Sequence, residues 1–265
     1  MNKALLLAAA MFSSASASAL AADMPVRPLP APAVFTWTGF YVGLNAGYAW
    51  STQPLNVGVP AFSDINAAAT AIAVAAGTGS ANDNGFTGGA QLGYNWQFGS
   101  SVAGLEGDFN YLGLSRGRDQ APVFSGAFNG RAFESVKSDW LGTIRGRFGF
   151  AIDRALIYAT AGIAFTDAKF GRALDWSFLD GCPIGPSGLN QCHVGSTKWN
   201  TGWALGGGVE YALAGNWSAK AEYLYVDFGR ESFQTINANK PAQTLLHSAR
   251  LQEQILRVGV NYRFY

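Results

Sequence analysis

From Thr38 onward, large apolar residues recur at every second position over stretches of ten or more residues, the period of an extended strand. In residues 38–50, Phe40, Val42, Leu44, Ala46, Tyr48 and Trp50 alternate with Tyr41, Gly43, Asn45, Gly47 and Ala49. In residues 85–97, Phe86, Ala90, Leu92, Tyr94 and Trp96 alternate with Thr87, Gly89, Gln91, Gly93 and Asn95. A third stretch sets Ala103, Leu105, Phe109 and Tyr111 against Glu106, Asp108 and Asn110. A fourth sets Trp140, Ile144, Phe148 and Phe150 against Arg145 and Arg147. The fifth, residues 155–165, is apolar on both faces, so its register stays open. The sixth opposes Trp203, Leu205, Val209 and Tyr211 to Gly206, Gly208 and Glu210. The seventh opposes Trp217, Ala219, Ala221, Tyr223 and Tyr225 to Lys220 and Glu222. The last, ILRVGVNYRFY, opposes Leu256, Val258, Val260, Tyr262 and Phe264 to Arg257, Gly259, Asn261 and Arg263. A soluble sheet turns its large apolar face to a core. Here the other face is Gly, Asn and ions, which suits strands with lipid outside and a polar lumen inside.

The connections fall into two classes. Residues 98–101, 151–154 and 213–216 are tight turns, whereas stretches around 51–84, 113–137, 167–199 and 229–249 are long and rich in Gly, Asn, Ser and Ala. They alternate long and short along the whole chain. Outer-membrane barrels sort their connections this way, with short periplasmic turns and long outer loops. The pattern predicts an all-β fold: an eight-stranded antiparallel transmembrane β-barrel with short periplasmic turns and long extracellular loops. Trp37, Trp50, Trp96, Trp140, Trp203 and Trp217 lie near the ends of the predicted strands, where an aromatic girdle is expected.

The start of the chain agrees with that compartment. Lys3 precedes a short apolar run over residues 4–12, and small residues then lead to Ala19-Leu20-Ala21. This is the pattern of a secretory signal peptide cut after Ala21 or Ala22. Residues 1–21 are therefore read as the signal, residues 22–36 as a periplasmic tether carrying Pro25, Pro28, Pro30 and Pro32, and residues 37–265 as the barrel. Composition fits as well: charged residues are 13% and aromatics 14%, against about 25% charged in soluble domains. A net charge of +1 provides no basic stripe for a nucleic-acid partner.

Cys182 and Cys192 are the two cysteines. In an exported chain such a close pair predicts a disulfide closing a short loop. With His193 they would still lack the fourth ligand of a zinc site, and no metal or cofactor is expected. The inward ions are Glu106, Asp108, Glu210 and Glu222 against Arg145, Arg147, Lys220, Arg257 and Arg263. Counted from the short turns, Glu106 matches Arg147 in depth and Asp108 matches Arg145. Arg257 and Arg263 are candidate partners for Glu222 and Glu210 on neighbouring strands. An eight-stranded barrel is just wide enough for its side chains to fill, so these pairs are read as a structural plug. A lined conducting pathway, making a small porin for ions or polar solutes, is the alternative.

Barrel enzymes exist, but acyl-transfer chemistry needs a base held against a nucleophile. Only His193 and His247 are available, both in predicted outer loops with no carboxylate adjacent in sequence. No enzymatic activity is expected. Gly85, Gly88 and Gly89 lie inside a strand pattern and not between a strand and a helix, which argues against a dinucleotide site. The Ala-rich run Ile65 to Gly77 is read as a strand extension or a short helix over the barrel mouth. A lipid or partner contact is its other reading.

WTGFYVGLNAGYAW after a Pro-rich segment, LGTIRGRFGF, WALGGGVEYALAGNWSAKAEYLYVDFG and VGVNYRFY resemble the small alphaproteobacterial outer-membrane barrels called outer-membrane immunogenic proteins. The resemblance covers nearly the whole mature chain. It implies a porin-like, surface-exposed, non-catalytic protein of the bacterial outer membrane and supplies no catalytic residues. It also implies a C-terminal insertion signal, here Tyr262, Phe264 and Tyr265, read by the barrel-insertion machinery. Outer-membrane lipid and lipopolysaccharide are the other expected partners. The chain stops at its eighth strand, so no peptidoglycan-binding domain is expected.

Overall fold

The computed structural model describes residues 35–119, 123–125, 128–176, 190–237 and 239–264. The predicted signal peptide, most of the predicted tether, Cys182 and Tyr265 lie outside them, as does the side chain of Cys192, so the predicted disulfide is not described. The elements are β1 (Gly39–Gly58), α1 (Ala67–Gly77), β2 (Gly79–Phe98), β3 (Ser101–Asp119), β4 (Val123–Ser125), β5 (Phe128–Ile152), β6 (Ala155–Thr166), β7 (Lys169–Trp176), β8 (Asn190–Lys198), β9 (Thr201–Ala212), β10 (Trp217–Ile236) and β11 (Thr244–Phe264).

Eight long antiparallel walls close on themselves. The order runs β3-β2-β1-β11-β10-β9-β6-β5, and β3 pairs back onto β5. The seam between first and last strands starts at Phe40 opposite Phe264. Closure leaves no sheet edge in lipid, where an unpaired backbone group costs several kcal/mol. β6 and β7 follow one another with a break at residues 167–168, as do β8 and β9 at 199–200. The break is held by Trp199 N donating to Ala168 O at 2.9 Å and Thr166 N donating to Asn200 O at 3.0 Å. β7 continues the pairing with β5 above β6, and β8 pairs with β7.

The outer connections differ from the sequence expectation. Most of what reads as long loop is further strand. β1 and β2 are 20 residues each and β11 is 21. At about 3.4 Å per residue and a tilt near 40°, roughly 20 residues give about 50 Å of barrel height, twice the ~25 Å apolar band. The upper half of these long strands therefore stands outside the hydrocarbon. There the period of two continues with its polarity reversed, and a search for apolar outward faces stops where that reversal begins.

The fifth strand, open from sequence, is in register with Leu156, Tyr158, Thr160, Ala164 and Thr166 buried inside and Ile157 and Ile163 exposed outside. The Ala-rich run forms α1, capped by the Asn66 side chain accepting from Ala69 N at 2.9 Å. Ala73 joins a buried cluster with Val57, Ala132, Leu174 and Leu245 from four surrounding strands. The helix is thus seated within the outer mouth.

Candidate functional site

The lower lumen is built from inward positions of the membrane-spanning halves. Arg145, fully buried, lies at its centre. Its Nη2 is 2.6 Å from both Glu106 Oε1 and Asp108 Oδ2, its Nη1 is 3.1 Å from Glu222 Oε1, and its Nε donates to Thr143 Oγ1 at 2.8 Å. Arg257 donates to Glu222 Oε2 from Nε at 2.7 Å and lies 3.1 Å from Asp108. Lys220 Nζ sits 3.0 Å from Glu106. Arg147 reaches Glu210 at 2.9 Å and stacks over the Tyr158 ring at 4.0 Å. Four carboxylates thus meet four cations in direct contact. Each buried charge has several partners, the condition under which a buried ionic network offsets its desolvation.

Neutral groups complete the network. Tyr41 donates to Glu106 at 2.8 Å and accepts from Arg147 at 3.0 Å. Tyr158 donates to Glu222 at 3.1 Å. Ser218 and Asn261 donate to Glu210 at 2.5 and 2.8 Å, and Thr143 and Asn110 to Asp108 at 2.7 and 2.6 Å. Glycines make room. A Cβ on Gly93 would stand 2.4 Å from the Tyr41 hydroxyl, and one on Gly162 would stand 2.0 Å from Ile144 O.

One predicted register and one predicted pairing are corrected. Glu106 faces Arg145 in register, not Arg147; Arg147 lies 3.8 Å from Glu106 and closer to Glu210. Counting from the turns treats neighbouring strands as level, whereas a closed barrel staggers them. Arg263 does not meet Glu210. It donates to Thr36 O at 2.8 Å and lies over the Phe35 and Trp37 rings at 4.3 and 5.0 Å. Trp37 is consequently no girdle residue. It is fully buried with Val102, Leu156, Tyr158 and Ala212, and its backbone N–H donates to Gln97 Oε1 at 2.6 Å. Phe35 and Thr36, assigned to the tether by sequence, belong with Trp37 to a stopper at the periplasmic mouth.

Above the ionic belt the lumen turns apolar. Leu112, Leu114, Leu141, Phe170, Trp199, Leu224, Val226, Phe228, Leu251 and Ile255 form one buried cluster. Phe170 meets Trp199 edge-on at 6.3 Å. Higher still, His193 and His247 are buried and not loop-exposed. The Thr235 hydroxyl lies 3.3 Å from His193 Nδ1 and 2.8 Å from His247 Nε2. Burial, the Arg172 guanidinium and His193 together pull His247 down to about 3. Arg172 pairs with Glu134 at 3.0 Å and donates to Gly77 O at 2.5 Å, tying the end of α1 to the wall. Tyr41, Tyr158 and this whole upper layer escaped sequence reasoning. The available signal was the inward phase itself: Tyr41 shares it with Gly43 and Asn45, and Leu251 and Ile255 share it with Arg257.

The outward face carries the apolar side chains predicted for the seven strands whose register was set, including Leu44, Leu92, Phe109, Ile144, Leu205, Tyr223 and Val258. The family model described as the outer membrane protein beta-barrel domain matches residues 5–264. The chain belongs to this outer-membrane β-barrel family. Among its relatives, the 31 kDa outer-membrane immunogenic protein of Brucella melitensis is 34% identical, with 97% of this chain and 96% of that protein covered. The 25 kDa outer-membrane immunogenic protein of Brucella canis is 28% identical over 99% and 98% of the two chains. Among solved structures, the outer membrane protein OprG of Pseudomonas aeruginosa is 9% identical with a TM-score of 0.43, covering 86% of this chain and 97% of that one. As in the rest of the family, the strand barrel is an outer-membrane one.

Proposed function

We propose that this outer-membrane barrel is a closed, non-catalytic envelope protein that braces the membrane and displays its outer extensions. One observation carries the reading: the interior is filled at four successive heights. From the periplasm upward these are the Trp37 stopper, the ionic belt, the apolar layer around Trp199, and α1 in the outer mouth. Reconstituted in planar bilayers, the protein is expected to give no stable current steps. Discrete steps whose size changes in Arg145→Ala or Arg147→Ala would instead support a small porin for ions or polar solutes.

The non-catalytic reading is supported by where the two histidines sit. Each faces Thr235 from a buried position, and a general base needs substrate within hydrogen-bond reach. Phospholipase and protease assays on purified protein test this, with His247→Ala as control; activity lost in that variant would overturn it. For assembly, the insertion machinery is proposed to read the outward aromatics Tyr262 and Phe264, whose rings meet at 5.2 Å. Phe264→Ala should lower outer-membrane yield, and deletion of Tyr265 should not.

A further inference from the structure

Three lysines stand side by side on the outer wall. Lys137 on β5 lies opposite Lys169 on β7, and Lys169 lies opposite Lys198 on β8. All three are exposed, and their neighbours Phe170, Arg172 and Trp199 are buried inside, so the lysines share the outward face. Like charges directly opposite across a ladder repel one another. A fold that lines up three of them gains nothing internally from the arrangement. Among the described residues, only Lys137 has a carboxylate partner, Asp139 at 2.9 Å. Lys169 and Lys198 make no ion pair there.

The next row up supplies neutral donors and space. Ser135 lies opposite Gly171, and Gly171 opposite Ser196. The two rows line one concavity of about 660 Å³. Gly171 forms its floor, because a Cβ there would stand 2.6 Å from Ser135 Oγ. The result is an outward hollow with three ammonium groups below and two hydroxyls above.

Height identifies the ligand. Trp140 is three residues further down β5, about 10 Å along the strand, and Ile144 below it is exposed to lipid. The lysine row therefore stands at the level of the outer-leaflet headgroups, where long cationic side chains lay their stems on apolar surface and reach charge above it. We propose that this hollow binds the anionic sugar headgroup of an outer-leaflet glycolipid, with Lys137, Lys169 and Lys198 on its phosphates and Ser135 and Ser196 on its hydroxyls. The inference rests on the outer-membrane reading, with the long extensions outside; it does not depend on whether the lumen conducts.

The test places the full chain in phosphatidylcholine nanodiscs doped with lipid A or with dephosphorylated lipid A, and counts retained glycolipid by native mass spectrometry. Wild type should retain the phosphorylated form in preference by about fivefold or more, the scale set by a single lysine at an anionic surface. Lys169→Glu should abolish the preference. Lys240→Glu, a lysine outside the row, should keep it. Heat-modifiable gel mobility verifies that each variant is folded, and Lys198→Gln replaces Lys169→Glu if that variant is not. Equal retention by wild type and the row variant would overturn the proposal, as would loss of the preference in Lys240→Glu. Displacement of the glycolipid by millimolar inorganic phosphate would also overturn it, assigning the hollow to free anion. Current steps in a protein that still shows the preference would sink the closed-lumen reading and leave the lipid site standing.

Discussion

Below Gln254 the barrel is apolar outside and ionic inside; above it the arrangement is reversed, with polar residues outside and an apolar core within. β11 shows both halves in one strand. Its lower inward positions include Arg257, Asn261 and Arg263, and its upper ones are mostly apolar, Leu245, Ala249, Leu251 and Ile255, with His247 and Glu253 between them. Its outward positions run from Val260, Val258 and Leu256 up to Gln254, Gln252 and Arg250. One backbone pattern serves two solvents. In the lower half, lipid cannot drive apolar residues inward, so the interior must be specified by ion pairs and hydrogen bonds. In the upper half water surrounds the wall, and the hydrophobic effect fills the interior as in a soluble barrel.

This contrast predicts which interactions hold each half. The largest effect is expected in the lower half. Glu106→Ala removes a carboxylate that Arg145, Lys220 and Arg147 all approach, and should destabilise the barrel by about 3–5 kcal/mol. An unchanged unfolding midpoint in urea with lipid vesicles would refute the ionic account. In the upper half, Leu224→Ala should cost about 2–5 kcal/mol through cavity formation, and raising the salt concentration should leave that cost unaltered.

Glu253 breaks the rule of the upper half. It is fully buried between Leu251 and Ile255, and neither carboxyl oxygen has a hydrogen-bond partner among the described residues. Glu253→Leu should therefore stabilise the protein by about 1–3 kcal/mol, the cost of an unsatisfied buried polar group. Glu253→Gln, which keeps the unsatisfied group, should gain much less. A urea series comparing the two variants sharpens the claim that this layer is apolar.

A further effect concerns acid. His247 sits above the lipid band with its pKa lowered from 6.5 to about 3, facing Arg172 and His193, with Glu134 held on Arg172. Above pH 6.5 the folded and opened states are both neutral, and the contribution of this burial is complete. As pH falls toward 3 only the opened state takes the proton. The outer half should then lose up to about 1.4 kcal/mol per pH unit. Hydrogen exchange of α1 and the upper strands should accelerate in that window, and His247→Phe should remove the slope.

The same contrast explains what could be read from the sequence. The lower half was legible because Val258, Val260 and Tyr262 face lipid while Arg257 and Arg263 face a lumen, a combination no soluble core requires. The ionic residues were found for the same reason. Their partners were found less well, because barrel stagger moved Arg145 opposite Glu106. Trp37 was misassigned because a tryptophan at a strand end suits a girdle and a stopper equally, and only Arg263 beneath it decides. The upper half reads as loop in the sequence because its outward residues, such as Ser135, Lys169 and Arg250, are those of any exposed segment. Its inward Leu251, Val226 and Phe170 gain meaning only once the wall is known to continue.

The most direct test of this inversion is a spin-label scan of the outward positions of β11 in lipid vesicles, in a background with Cys182 and Cys192 replaced by Ser. Labels at 256, 258 and 260 should be reached by oxygen in preference to a water-soluble nickel chelate, and labels at 250 and 252 by the chelate, with the crossover at 254. Oxygen preference extending through 252 and 250 would place the upper half in lipid and contradict the account.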